Sequence, residues 1–282
     1  MARLSRQRSG LYALLGPGAA AAMLAACATT TPRLAPASVD APPVATLSEG
    51  PPMLRFPERL HFQIRHSLAG QVGEVTLLVK AETSPAPLWA GEGFGSGSFL
   101  GFGTRSKFSL SFDPQTALAR AWTVERDTGS AVIRDDAAQS APGVVSTHRL
   151  HSKKPESWAT LNAGAATYDP FGYLLALRTR GPQREPWTAP VLDGRALWSV
   201  TAAPPRAETI KLATGPRTAL RYELAAAPID WQGRPSTLRK PRTITLWLSD
   251  NAEHTPLALV TNAPLGELRV ELAADGPAVA LH

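Results

Sequence analysis

From Pro57 onward the chain alternates apolar and polar residues in short runs, the pattern of strands that bury one face. Leu60, Phe62 and Ile64 alternate with His61, Gln63 and Arg65. Val75, Leu77 and Val79 recur at the same spacing, as do Phe108, Leu110 and Phe112 between serines. Further runs cover 196–201, 209–212, 219–224, 243–248 and 257–260, and a last one holds Leu268, Val270 and Leu272. Turn formers such as Ala69-Gly70, Asp113-Pro114, Asp127-Thr128-Gly129, Asp193-Gly194 and Pro264-Leu265-Gly266 separate most of them. Such spacing predicts an antiparallel meander. The period breaks once, where Asp169-Pro170 precedes Phe171, Tyr173, Leu174, Leu175 and Leu177 and then Arg178. Asp suits an N-cap, Pro the first helical position and Arg the negative end of the dipole, so a short apolar helix is expected, lying against the concave face of a sheet.

The first 57 residues read differently. Arg3, Arg6 and Arg8 precede an apolar stretch from Leu11 to Ala26, too short and too broken by Gly16-Pro17-Gly18 to span a bilayer. Residues 1–26 are therefore expected to be a signal peptide. Leu24-Ala25-Ala26-Cys27 resembles the lipobox of bacterial lipoproteins, in which the cysteine is lipidated and becomes the mature N-terminus. Cys27 is the only cysteine, so an internal disulfide is excluded. In such lipoproteins an aspartate after the cysteine favours inner-membrane retention; the next residue here is Ala28, which implies an outer-membrane protein facing the periplasm. Residues 27–57, with prolines at 32, 36, 42, 43, 51, 52 and 57 and few large apolar side chains, read as a lipidated, extended tether. Residues 58–282 are expected to form one β-rich globular domain.

Composition narrows the functional classes. With 26 prolines in 282 residues, about twice the usual 5%, long helices are disfavoured. Removal of the three leader arginines takes the formal charge from +6 to +3, and Arg239, Lys240 and Arg242 read as the solvated lead-in to a strand, so no nucleic-acid partner is expected. No Gly-x-Ser-x-Gly elbow, His-Glu-x-x-His site or phosphate loop is present, and no catalytic residue, metal or cofactor is expected. His148, His151 and Glu156, and His254 near Ser249, Asp250 and Glu253, read as polar loop residues. The run Gly91–Gly103 reads as a flexible hairpin edge or bulge.

Three motifs stand together: an aromatic strand and glycine turn (His61-Phe62-Gln63-Ile64 to Gly70-Gln71-Val72-Gly73-Glu74), the Asp-led helix ending at Arg178, and Trp247-Leu248-Ser249-Asp250 followed by Pro256. Taken together they resemble the bacterial family called domain of unknown function 3108. The resemblance spans about residues 59–272. It implies an envelope protein that is mainly β (α+β), with a single strongly curved antiparallel sheet or half-barrel carrying one or two short helices on its concave face, similar to lipoprotein carriers. It assigns no catalytic residues. The segment between Pro114 and Trp158 departs from the pattern and is expected to be an elaborated hairpin or loop.

Seven tryptophans are many for such a domain. With Trp198 and Trp247 turned inward beside Phe171 and Leu174, the four would line an apolar cavity for a lipid or acyl chain. The expected function is a non-catalytic outer-membrane lipoprotein binding a hydrophobic ligand. The alternative is a structural or protein-interaction lipoprotein with a filled core and an envelope protein as partner.

Overall fold

The computed structural model describes residues 54–83, 87–99, 102–163, 165–194, 196–263 and 266–273. The signal peptide, Cys27 and most of the tether lie outside the described residues. Eight strands come first: β1 (Glu58–His66), β2 (Gly70–Glu82), β3 (Leu88–Phe99), β4 (Phe102–Phe112), β5 (Ala119–Asp127), β6 (Val132–Ala141), β7 (Val144–His151) and β8 (Lys154–Asn162). One helix, α1 (Pro170–Arg180), separates them from β9 (Trp187–Asp193), β10 (Ala196–Ala202), β11 (Arg206–Leu212), β12 (Gly215–Ile229), β13 (Arg242–Ser249), β14 (Pro256–Ala263) and β15 (Gly266–Leu272).

All fifteen strands join one antiparallel sheet in the order β8-β7-β6-β5-β4-β3-β2-β1-β15-β14-β13-β12-β10-β9, with β11 beside β12. Two meanders thus meet where β1 pairs with β15, Phe62 opposite Leu272 and Ile64 opposite Val270. The sheet is not closed into a barrel: β8 and β9 end it. Every apolar run anticipated from alternation lies in a strand.

The residues 114–158 differ from expectation. They form β5 to β8, three further hairpin steps of the sheet. Their burial alternates as in any half-buried strand, but the buried positions include Arg126, Asp135, Ala137 and Thr147, so hydrophobicity does not reveal the period. The glycine run also differs. Gly91, Gly93, Gly95 and Gly97 fall on one face of β3, which is paired on both sides rather than forming an edge. A Cβ at Gly93 would lie 2.0 Å from the Phe108 ring and 2.6 Å from the Thr76 carbonyl oxygen. The missing side chains thus make room for a large aromatic from the next strand.

The helix forms for the reasons its sequence gives. Asp169 accepts hydrogen bonds from the amides of Phe171 (2.9 Å) and Gly172 (3.2 Å), Pro170 occupies the first turn, Arg178 and Arg180 the last, and Gly181 at φ 67° ends it. Residues 171–178 are all buried, including Arg178. A helix without a solvated face must be covered on all sides.

Candidate functional site

Both meanders cover α1. Phe171 stacks on Phe108 of β4, with ring centroids 5.0 Å apart. Tyr173, Leu174 and Leu177 meet Val200, Leu224, Ile244, Leu246 and Leu259, from β10, β12, β13 and β14. Tyr173 also stacks on Trp187 at 4.6 Å, with Arg180 4.8 Å above the Trp187 ring. Phe171, Leu174 and Trp198 therefore share one core.

Trp247 is not part of it. Along β13, Ile244, Leu246 and Leu248 pack into the main core, and the intervening Trp247 packs into a second cluster with Ile210, Leu212, Ala219, Leu257 and Ala258. Its indole Nε1 donates to Glu208 Oε1 at 2.6 Å, fastening β11 across the other face of the sheet. Period two sends neighbouring residues to opposite faces, and Trp247 takes the face away from α1.

Among the described residues, two small cavities adjoin Phe171 and Leu174. A cavity of about 30 Å³ lies beside Leu174, and another of about 30 Å³ lies between Phe171, Phe108, Trp122 and Asp193. Each has room for one or two waters. An open groove of about 940 Å³ lies at the strand ends, with Gln71, Glu74, Ser96, Ser98, Arg105 and Asp127 among its lining residues.

Beyond Phe171 the interior becomes ionic. Asp135 accepts from Arg126, and from Arg149 Nη2 at 2.9 Å. A Cβ added at Gly194, in the turn after β9, would lie 3.7 Å from Arg149 Nη2 and Asp135 Oδ2 and 4.0 Å from Arg126 Nη2. The turn at one end of the sheet thus abuts strands near the other end. Asp193 is half-buried here; desolvation pushes its carboxyl up to about 6, against the opposing pull of Arg126, Arg242 and Arg239. Burial depresses Arg126, against the raising pull of Asp135 and Asp193. Arg242, expected to be a solvated lead-in, instead lies with its guanidinium 4.3 Å above the ring of Trp198. Sequence reading missed this cluster because its members stand apart in sequence and look like surface charges. Only the Asp193-Gly194 turn was visible.

Asp169, the N-cap, is more perturbed: burial pushes its carboxyl up to about 7 despite the amides of Phe171 and Gly172. Burial likewise raises the Tyr173 and Tyr222 hydroxyls. The remaining candidates have separate structural partners. Ser249 Oγ donates to Asn251 at 2.6 Å and accepts from the Thr255 amide at 2.8 Å. His254 is buried, with Nδ1 3.0 Å from the Arg178 carbonyl oxygen. His148 meets Glu156 at 3.2 Å, whereas His151 Nδ1 accepts from the Lys153 amide at 3.0 Å. No group of three or more metal-ligating side chains occurs among the described residues.

These features define a class: mainly β proteins with one open antiparallel sheet and, among the described residues, one buried apolar helix. The chain belongs to the family described as "Protein of unknown function (DUF3108)", whose model matches residues 62–273. No curated protein matches it. Among solved structures it is similar to a β-barrel-like protein of domain of unknown function DUF1849 from Brucella abortus (12% identity, TM-score 0.47, covering 76% of this chain and 94% of that one). It is also similar to a protein described as exported, with a YmcC-like fold, from Bacteroides fragilis (7% identity, TM-score 0.32, covering 78% and 95%). A third is described as a lipoprotein from Parabacteroides distasonis (8% identity, TM-score 0.30, covering 76% and 92%).

Proposed function

We propose that this protein is a non-catalytic lipoprotein of the cell envelope, anchored through Cys27 in the outer membrane, whose domain works through its surface rather than by enclosing a ligand. One observation carries the choice. Phe171, Leu174 and Trp198 are buried, and among the described residues the cavities beside Phe171 and Leu174 hold about 30 Å³ each. Sites for small apolar ligands usually need about 300–1,000 Å³. To admit an acyl chain, α1 would have to leave a core in which eight consecutive residues are buried.

The leader and Leu24-Ala25-Ala26-Cys27 support the anchor, and the proline-rich tether supports a stand-off from the bilayer. The test is expression with the intact leader, extraction in mild detergent and native mass spectrometry. The expected species carries covalent acyl mass, lost in Cys27→Ser, and no further bound lipid. A stoichiometric non-covalent lipid would overturn the filled-core reading.

A further inference from the structure

Strand β8 is amphipathic in the wrong sense. Its inward positions are Ser157, Ala159 and Leu161, while Trp158, its largest side chain, faces outward and is 70% exposed. The indole is nevertheless held in place. It stacks on His148 of β7 with centroids 3.6 Å apart and planes 8° from parallel, and His148 is braced by Glu156 at 3.2 Å and Asp136 at 3.9 Å. One face of the ring is thus fixed and the other is presented to solvent. Val132 and Leu150, 43% and 40% exposed, continue the apolar surface across β6 and β7. The strand is also an end of the sheet, hydrogen-bonded to β7 alone among the described strands, so beside Trp158 and Thr160 its outer edge meets no described strand and can template a further one.

Charge selects the occupant. On this face Arg134 is already held by both carboxylate oxygens of Asp136, at 3.0 and 3.1 Å. Glu156 lies two residues from Trp158, with its side chain 60% exposed and 3.2 Å from His148 Nε2. An indole face beside a carboxylate attracts a Lys or Arg side chain by cation–π and ionic contact. The basic Lys153 and Lys154 lie at the far end of the strand, so a uniformly basic segment is disfavoured.

Resting on the surface-acting reading above, we infer that β8 is a docking edge for an extended segment of a partner protein. The segment adds as a further strand and seats one lysine or arginine between Trp158 and Glu156. This mode joins main-chain pairing for affinity with one anchor residue for specificity.

The probe is the blocked peptide Thr-Val-Thr-Lys-Thr-Val-Thr, compared with its Lys→Glu and Lys→norleucine counterparts and a version N-methylated on alternate amides. Calorimetry and hydrogen exchange are read on the whole lipoprotein in detergent. The lysine peptide at millimolar concentration slows exchange across 156–161. Trp158→Ala, whose side chain is outside the core, weakens binding at least tenfold without changing the circular dichroism. Glu156→Gln weakens it less and removes its salt dependence. The Lys→Glu and N-methylated peptides give no protection.

Unchanged exchange in β8 overturns the inference. So does equal binding of the Lys→Glu peptide, dimerisation that Trp158→Ala abolishes, which would make a second copy the occupant, or Trp158-dependent binding to anionic vesicles. A bound lipid in the preceding experiment would sink the filled-core reading without touching these outcomes.

Discussion

Gly93 and Asp169 occupy positions where one atom more or one charge less has a calculable effect. Alanine at 93 puts its methyl against the Phe108 ring and the Thr76 carbonyl. The ring can move only by leaving its stack on Phe171; the carbonyl is backbone and cannot swing away. Gly93→Ala should therefore cost about 1–3 kcal/mol in urea denaturation. Phe108→Leu should recover part of that loss, making the pair non-additive.

Asp169 titrates near 7 in the fold and near 4 in an unfolded chain. Between those values the native state holds the extra proton, so this group's contribution to stability is complete below about pH 4 and declines as pH rises to about 7. Asp193, pushed up to about 6, acts in the same direction. Thermal midpoints should fall from pH 5 to pH 8. Asp169→Asn keeps the acceptor for the Phe171 amide and removes the charge, and should flatten that slope. An unchanged slope would mean that Asp169 is not buried as an acid.

At the scale of elements, β13 shows how one strand serves two surfaces. Its alternate residues feed the main core, while Trp247 holds the β11–β12 hairpin through Ile210, Leu212 and the bond to Glu208. Trp247→Ala should cost about 3 kcal/mol. The accompanying rise in hydrogen exchange should be confined to β11 and the first half of β12. Acceleration around α1 instead would return Trp247 to the interior.

The same strand marks the limit of what was legible. Alternation located the strands of strong contrast, and Asp169-Pro170 to Arg178 located α1 to within two residues of its observed end. Neither could assign the two faces of β13, because both are apolar: Leu246, Trp247 and Leu248 are all buried. Strands β5 to β7 escaped for the opposite reason. Their inward residues include Arg126, Asp135 and Thr147, whose partners come from other strands and carry no local signal. Of the four residues expected to line a cavity, Trp247 takes the other face, and the described cavities beside Phe171 and Leu174 are small. Neither follows from residue type.

Among the described residues, the strand ladders of the two meanders join where β1 meets β15. That seam is reinforced from inside by α1. Arg178, 1% exposed, donates to both carboxylate oxygens of Glu58 at the start of β1, at 2.7 Å each. It also donates to the Glu253 carbonyl at 3.1 Å, in the turn between β13 and β14, where His254 meets the Arg178 carbonyl. Arg55, at the end of the tether, pairs with Glu253 at 2.9 Å. One guanidinium thus joins the helix, the first strand of one meander and a turn of the other.

Removing Glu58's charge leaves Arg178 buried without its counter-ion, at a cost of about 3–5 kcal/mol. If the arms unfold as one body, Glu58→Gln should shift a single urea transition. Tryptophan fluorescence, reporting residues in both arms, should still coincide with far-UV circular dichroism. Exchange should accelerate in β4 and β13 alike, because Phe108 and Leu246 both lean on α1. Acceleration limited to β1 and β2 would mean that the arms are separate folding units and that the helix merely rests between them.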